Sequence, residues 1–382
     1  MRYLSPWPLA VAILAACSGN DSSSDLPNPV RRDSATVRIV EYPSLQSLTA
    51  RFAIDSAPFL EIGGSRDNSS DELDPRHPYF TATWLSDRRI VINDFHRIIF
   101  FDSTGKMLYA RGREGHGPGE FGQVQAICRL PGDSLLVFSI GRDVHMFDPT
   151  GNLVRSYARI RSRASDGCFD DGSIVASLSR DDLPVGAMVN QPLAEDESFF
   201  VRVRPSGEKL ADLGRLPTSS YKTDIIREVS IVPFREKLYA ADAKTFEVRE
   251  QSLDGKLLRI LRVAFVPKAV PPNAAPDFAV AGGTTLPPEA VRPPSLPPTY
   301  PVYGRVRVDP AGRVWIQDYD ARQNWTVFDS TFALLGRVSM RHPDPKEVPE
   351  ELVGFQTDHV VILRYNPDGA PVLSFHRISG QR

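Results

Sequence analysis

Short apolar runs bounded by turn residues recur along most of the chain. Ile90-Val91-Ile92 ends on Asn93-Asp94, Ile98 to Phe101 ends on Asp102-Ser103-Thr104-Gly105, and Met107-Leu108-Tyr109 follows at once. The same order returns in Leu135-Leu136-Val137-Phe138, in Val144 to Phe147 before Asp148-Pro149-Thr150-Gly151, and in Leu153-Val154. Weaker copies centre on Pro205-Ser206-Gly207, Asp254-Gly255, Asp329-Ser330-Thr331 and Asn366-Pro367-Asp368-Gly369. Runs this short suit strands. Each copy predicts a meander of four strands, with Asp-x-x-Gly as the tight turn between the outer two, where Gly supplies a positive φ and Asp caps its own backbone. A lone sheet of this kind leaves two apolar faces open, so the copies must pack side by side. A repeat of about 40 to 50 residues with four strands is that of a propeller.

The predicted fold is therefore all-β, a six-bladed β-propeller of four-stranded antiparallel blades near residues 81–112, 124–158, 168–214, 225–263, 302–340 and 352–379. Residues 57–63 (APFLEIG) have no copy of their own and read as the outermost strand of the last blade, an N-terminal strand closing the C-terminal blade. A β-sandwich would also space its strands evenly, but would not repeat the Asp-x-x-Gly register. Residues 267–301 break the rhythm with 11 of the 33 prolines. That composition denies the segment ladder hydrogen bonds and predicts a long loop across one rim.

The start of the chain follows a different pattern. Arg2 is a positive n-region, residues 9–16 (LAVAILAA) are a short apolar run, and Leu14-Ala15-Ala16 leads into Cys17. The run is too short for the roughly 20 residues that cross a bilayer. Small residues directly before a cysteine form a lipobox, so residues 1–16 read as a lipoprotein signal peptide and Cys17 as the lipidated residue. Two acyl chains on Cys17 would anchor the protein stably to a membrane. Residues 17–34 then read as the lipidated cysteine with a polar, flexible tether, and residues 35–382 as the propeller domain. With Ser18 and not Asp after the cysteine, the segment resembles Gram-negative lipoproteins, and that resemblance implies sorting to the outer membrane of the cell envelope.

Composition changes this picture little. The chain has 41% hydrophobic and 24% charged residues and a formal charge of -2, ordinary for a globular protein and no footprint for nucleic acid. Besides Cys17 it contains only Cys128 and Cys168, each just before the first turn of consecutive copies. In an oxidising compartment they are a possible disulfide, and otherwise two buried thiols.

Residues 111–121 (RGREGHGPGEF) are the most distinctive stretch. They resemble the element that links one blade to the next in six-bladed β-propeller lipoproteins related to NHL repeats. Residues 296–301 (LPPTYP), 308–316 (VDPAGRVWI) and 325–329 (WTVFD) resemble later blades of that family. The chain departs from it at Phe332, where a turn glycine is expected, and in a third copy with a long excursion from Asp181 to Glu197. The resemblance implies a fold and a location and, for most members, no established activity.

Candidate chemistry sits in turns. The glycines of residues 111–121 do not lie between a strand and a helix, so they suit a sharp crossing with Glu120 anchored on neighbouring amides more than a phosphate cradle. Turns between second and third strands share one face with the crossings. They carry Asp94, His96, Arg97, Arg142, Lys244, Asp318 and Arg322, which with Arg113 and His116 are ligand-binding candidates at the channel mouth. The bland alternative is a set of solvated turn ion pairs. The seven histidines lack ligand spacing and no Gly-x-Ser-x-Gly elbow appears. The favoured expectation is a non-catalytic binding or scaffold module for a protein, peptide or glycan partner, with no cofactor. The alternative is a metal-dependent lyase or lactonase drawing on His96, His116, Asp94 or Asp318.

The anchor has a direct test. Cys17→Ser should abolish incorporation of labelled fatty acid and partitioning into detergent; unchanged labelling would rule out Cys17 as the acceptor.

Overall fold

A computed structural model describes residues 27–45, 52–64, 73–77, 80–139, 143–157, 163–178, 197–217, 225, 227–272, 274, 296–340 and 351–380. Residues 1–16, read as a signal peptide, lie outside the described residues, as do Cys17, Arg142 and most of the excursion in the third copy. Among the described residues every regular element is a strand. Six antiparallel meanders form the blades of a propeller. Blade 1 runs Ala82–Trp84, Ile90–Asp94, Arg97–Phe101 and Met107–Arg111, and blade 2 runs Val124–Arg129, Leu135–Ser139, Val144–Phe147 and Leu153–Tyr157. Blade 3 comprises Arg163–Cys168, Ile174–Leu178, Glu197–Val203 and Lys209–Pro217, so it starts earlier than its weak repeat suggested. Blade 4 comprises Val229–Phe234, Lys237–Asp242, Glu247–Ser252 and Leu257–Val263; blade 5 comprises Val306–Val308, Val314–Gln317, Asn324–Phe328 and Leu334–Ser339. Blade 6 takes Glu351–Phe355, His359–Tyr365 and Pro371–Gly380 from the C-terminus.

The ring closes as the repeats imply. Leu60–Gly63 pairs antiparallel with the last strand, Leu60 opposite Phe375 and Gly63 opposite Val372. Phe52–Ile54 continues along the same strand, opposite Ile378 to Gly380. The core is correspondingly divided into six apolar clusters, one at each seam between neighbouring blades. At the seam of blades 6 and 1, for example, Ile92 and Phe101 pack with Val361 and Phe375. First strands of neighbouring blades meet one another, which places them around the axis.

One hairpin geometry explains the Asp-x-x-Gly repeat. In the 102–105 turn, Gly105 donates to the carbonyl of Asp102 at 3.1 Å, and the Asp102 carboxylate accepts the amides of Thr104 and Lys106 at 2.8 and 3.1 Å. Asp148 repeats this with Thr150 and Asn152, and those hydrogen bonds outweigh burial to hold its carboxyl at about 2. The geometry is not confined to the outer hairpin. Asp309 to Gly312 uses it between first and second strands of blade 5, and Asn366 to Gly369 joins the second and third strands of blade 6, a correction to its expected place. The turn is a local property of any hairpin, so its sequence does not report which pair of strands it joins.

Phe332 occupies the left-handed position of its turn with φ 63°, where glycine costs nothing. Its ring compensates by being fully buried against Tyr239, centroids 6.3 Å apart, within the seam of blades 4 and 5.

A further strap was not expected. Val30–Ser34 and Val37–Tyr42 form a hairpin, and the second of these pairs in parallel with Leu257–Val263, extending blade 4 to six strands. Ordered strand therefore begins inside the segment read as tether; Val30–Ser34 is exposed throughout, and its backbone ladder holds it together with the exposed ion pairs Arg32–Glu41 and Asp33–Arg38. Tyr42 is buried and its hydroxyl donates to the carbonyl of Phe332 at 3.0 Å and accepts from the amide of Leu334 at 2.8 Å, tying the strap to blade 5. Cys128 and Cys168, on the innermost strands of blades 2 and 3, are joined by a disulfide with Cα atoms 6.0 Å apart.

Tyr42→Phe keeps the ring and removes both hydrogen bonds, leaving a buried amide without its acceptor. Stability should fall by about 2 kcal/mol in denaturant unfolding. A loss under about 0.5 kcal/mol would show that the strap contributes through its backbone pairing alone.

Candidate functional site

Second-to-third-strand turns and blade crossings lie on one face of the disc, and the sequence candidates fall on two parts of it. On blade 1, Asp94 ends the second strand and is 1% exposed. Its carboxylate accepts the amide of Asp74 and Nε of Arg97, each at 2.7 Å. Burial raises its pKa against the pull of those two donors. Neighbouring Asn93 accepts the amide of Thr81 and meets His77 Nε2 at 2.9 Å. The two residues thus stitch the crossing from blade 6 onto the blade 1 turn. His96 Nδ1 lies 3.1 Å from the carbonyl of Phe121, and its Nε2 lies 3.8 Å from Glu114.

The glycine-rich crossing is built around Glu120. Its carboxylate accepts the amide of Gly117 at 2.9 Å and pairs with Arg113 at 2.6 Å. The amide of Gly117 and then Arg113 hold its pKa below the usual carboxylate range. A Cβ on Gly115 would sit 2.1 Å from that carboxylate, and one on Gly112 would strike the buried ring of Phe121 at 2.3 Å. The glycines make room for a side-chain staple, which accounts for the motif without a phosphate. His116 is exposed on the same loop.

Lys244, Asp318 and Arg322 belong to blades 4 and 5. Lys244 is exposed beyond Asp242, whose carboxylate accepts its amide at 3.1 Å. Asp318 is ion-paired with Arg337, and Arg322 is exposed while its carbonyl accepts Gln317 Nε2 at 2.7 Å. Asp94, His96 and His116 thus belong to blade 1 and its crossing to blade 2, and Asp318 to blade 5, where Arg337 engages it. Among the described residues no group of three or more His, Cys, Asp or Glu side chains is placed to hold a metal ion.

Two features escaped the sequence reading. The first is axial. Arg305 and Glu228 immediately precede the innermost strands of blades 5 and 4, and Glu351 begins that of blade 6. Arg305 pairs with Glu228 at 2.5 Å and also with Glu351, joining three blades near the axis. Burial lowers the guanidinium's pKa, but the two carboxylates more than reverse this. The side chain is nonetheless 39% exposed, so the cluster is enclosed yet wetted. Aligning the charged residues at the start of each inner strand, within one position, would have brought these three together.

The second is a cleft of about 500 Å³ between blades 4 and 5. Phe246, Lys268, Tyr300, Asp318, Tyr319 and Arg337 are among its lining residues. The two ends of the proline-rich insertion form one wall, and they do make ladder hydrogen bonds: Tyr300 donates to Lys268 at 2.9 Å and Val270 to Pro298 at 3.2 Å. Proline serves there as acceptor only, which its ring permits. Tyr300 and Tyr319 stack at a tilt with centroids 5.7 Å apart, and Lys268 Nζ lies 5.2 Å from the Tyr300 centroid and 2.8 Å from Asp320.

No family model and no curated protein matches the chain. Solved structures do. A putative exported protein from Bacteroides fragilis superimposes with a TM-score of 0.54 at 12% identity, over 89% of this chain and 99% of that one. A duf4221 family member from Bacteroides vulgatus has a TM-score of 0.49 at 8% identity, over 87% and 99%. A gluconolactonase from Xanthomonas campestris has a TM-score of 0.42 at 15% identity, over 85% and 100%. The first likeness speaks to the fold alone: the chain is a six-bladed β-propeller.

Arg305→Met leaves Glu228 and Glu351 without their common partner. Stability should fall by about 1 to 2 kcal/mol, less than for a fully buried broken pair because water screens the carboxylates. Adding Glu228→Gln and Glu351→Gln should recover most of that loss. A triple variant no more stable than the single one would show that Arg305 acts by packing alone.

Proposed function

We propose that this chain is a lipid-anchored, extracytoplasmic β-propeller that binds a partner without converting it, at the cleft between blades 4 and 5. The lipobox at Cys17 supports the anchor, and Ser18 supports sorting to the outer membrane. The observation that carries the binding reading is the cleft itself, a concave site with aromatic walls and a few convergent polar groups. A metal-dependent lyase or lactonase would place a divalent cation on or near the axis. Near the axis, Glu228 and Glu351 are both already paired with Arg305, so a cation that used them as ligands would have to break those pairs. The blade 1 candidates serve to hold loops: Asp94, His96, Arg97 and Arg113 are all engaged by neighbouring segments. Partners of the protein, peptide or glycan class fit such a module, and nucleic acid does not fit its charge.

The test is in cells. A photo-crosslinking amino acid in place of Tyr319 should capture a discrete species that the same group in place of Leu108, on the outer strand of blade 1, does not. Identical products from both positions, or none from Tyr319, would sink the cleft as the binding site.

A further inference from the structure

The walls of the cleft narrow the chemistry of what it holds. Its charged groups come in pairs: Lys268 with Asp320 at 2.8 Å, and Arg337 with Asp318. The sum over these four is zero, so an ionic ligand gains no net attraction and would have to break a pair to make one of its own. Each paired carboxylate keeps further lone pairs, and each cation further N–H groups. A hydroxyl can use both kinds, because it donates and accepts at once.

Beside these pairs stand aromatic and aliphatic surfaces. Tyr300, Tyr319 and Phe246 line the cleft, together with Phe265 at 36% and Val266 at 83% exposure. Aromatic rings with a polar end suit a ligand that alternates C–H faces with hydroxyl edges.

The platform is also fixed in place. Tyr300 is held by its backbone amide donating to the carbonyl of Lys268, and Tyr319 lies in a turn closed by the amide of Asp318 donating to the carbonyl of Asn324 at 2.9 Å and that of Asn324 to the carbonyl of Ala321 at 2.7 Å. Such preorganisation reduces the ordering cost of binding.

We infer that this cleft binds an uncharged oligosaccharide, with sugar faces packed on Tyr300 and Tyr319 and hydroxyls shared between the Lys268–Asp320 and Arg337–Asp318 pairs. The inference rests on the cleft being the binding site and adds the class of ligand.

The experiment applies the purified full chain, in detergent, to an array of immobilised neutral and acidic glycans, followed by calorimetry with the best neutral oligosaccharide. Neutral glycans should be retained, with affinity nearly independent of salt. Tyr319→Ala and Tyr300→Ala should each weaken binding by about tenfold or more at unchanged melting temperature, and Leu153→Ala on the outer strand of blade 2 should leave it unaltered. Retention of acidic glycans only, salt-sensitive binding, or tyrosine variants that bind as well as the parent would overturn the inference. So would an empty array. If the array is empty while the Tyr319 photo-probe still captures a protein in cells, the glycan falls and the binding site stands. If both fail, both readings fall together.

Discussion

A four-stranded sheet with two apolar faces cannot end, and this constraint governs the whole molecule. Each blade buries one face against the blade before it and the other against the blade after it, which is why the core consists of six seams and not one centre. Such an arrangement is stable only as a closed ring. The chain closes it by giving blade 6 its outer strand from the N-terminus, so that residues about three hundred positions apart exchange backbone hydrogen bonds. The strap that precedes this strand adds Val37–Tyr42 to blade 4 and reaches blade 5 through the Tyr42 hydroxyl, before the chain arrives at blade 6. The closing half of the ring is therefore held from outside by the strap and near the axis by the Arg305 cluster.

Once the ring is closed, much of the polar chemistry on the crossing face is spent on keeping long connections in place. Asp94 and Asn93 hold the incoming crossing, and Glu120 folds the glycine-rich loop around itself. Asp94 and Glu120 have charge and perturbed pKa values, features that draw attention to catalytic sites, but their partners are backbone amides and neighbouring arginines. The cleft between blades 4 and 5 differs because its side chains converge on space. It exists because the insertion there leaves and returns as a paired stem, which walls off the gap between two blades.

The limits of the repeat are instructive at single residues. The turn grammar was legible at Asp102, Asp148 and Asp329, since each carboxylate caps amides within four residues of itself. The same locality hid the place of Asn366 to Gly369 in its blade. Phe332 looked like a defect in the repeat and is a trade between backbone strain and burial that only the opposite blade explains. Among the site candidates, residue type and turn position were legible, but which of them face a common space was not, because that depends on which blades are neighbours.

By itself, the sequence determined the strands, their turns, the number of blades and the strand that closes them, because all of these follow from patterns within one repeat or from the one segment that lacks its own. It also carried the pattern before Cys17 that reads as a lipobox, which depends on neighbours along the chain and on no fold. Tertiary structure alone decided the parallel strap on blade 4, the meeting of Glu228, Arg305 and Glu351, and the cleft beside the insertion. Each of these joins residues from different repeats, and no periodicity along a chain encodes the distance between side chains that meet only when the ring has closed.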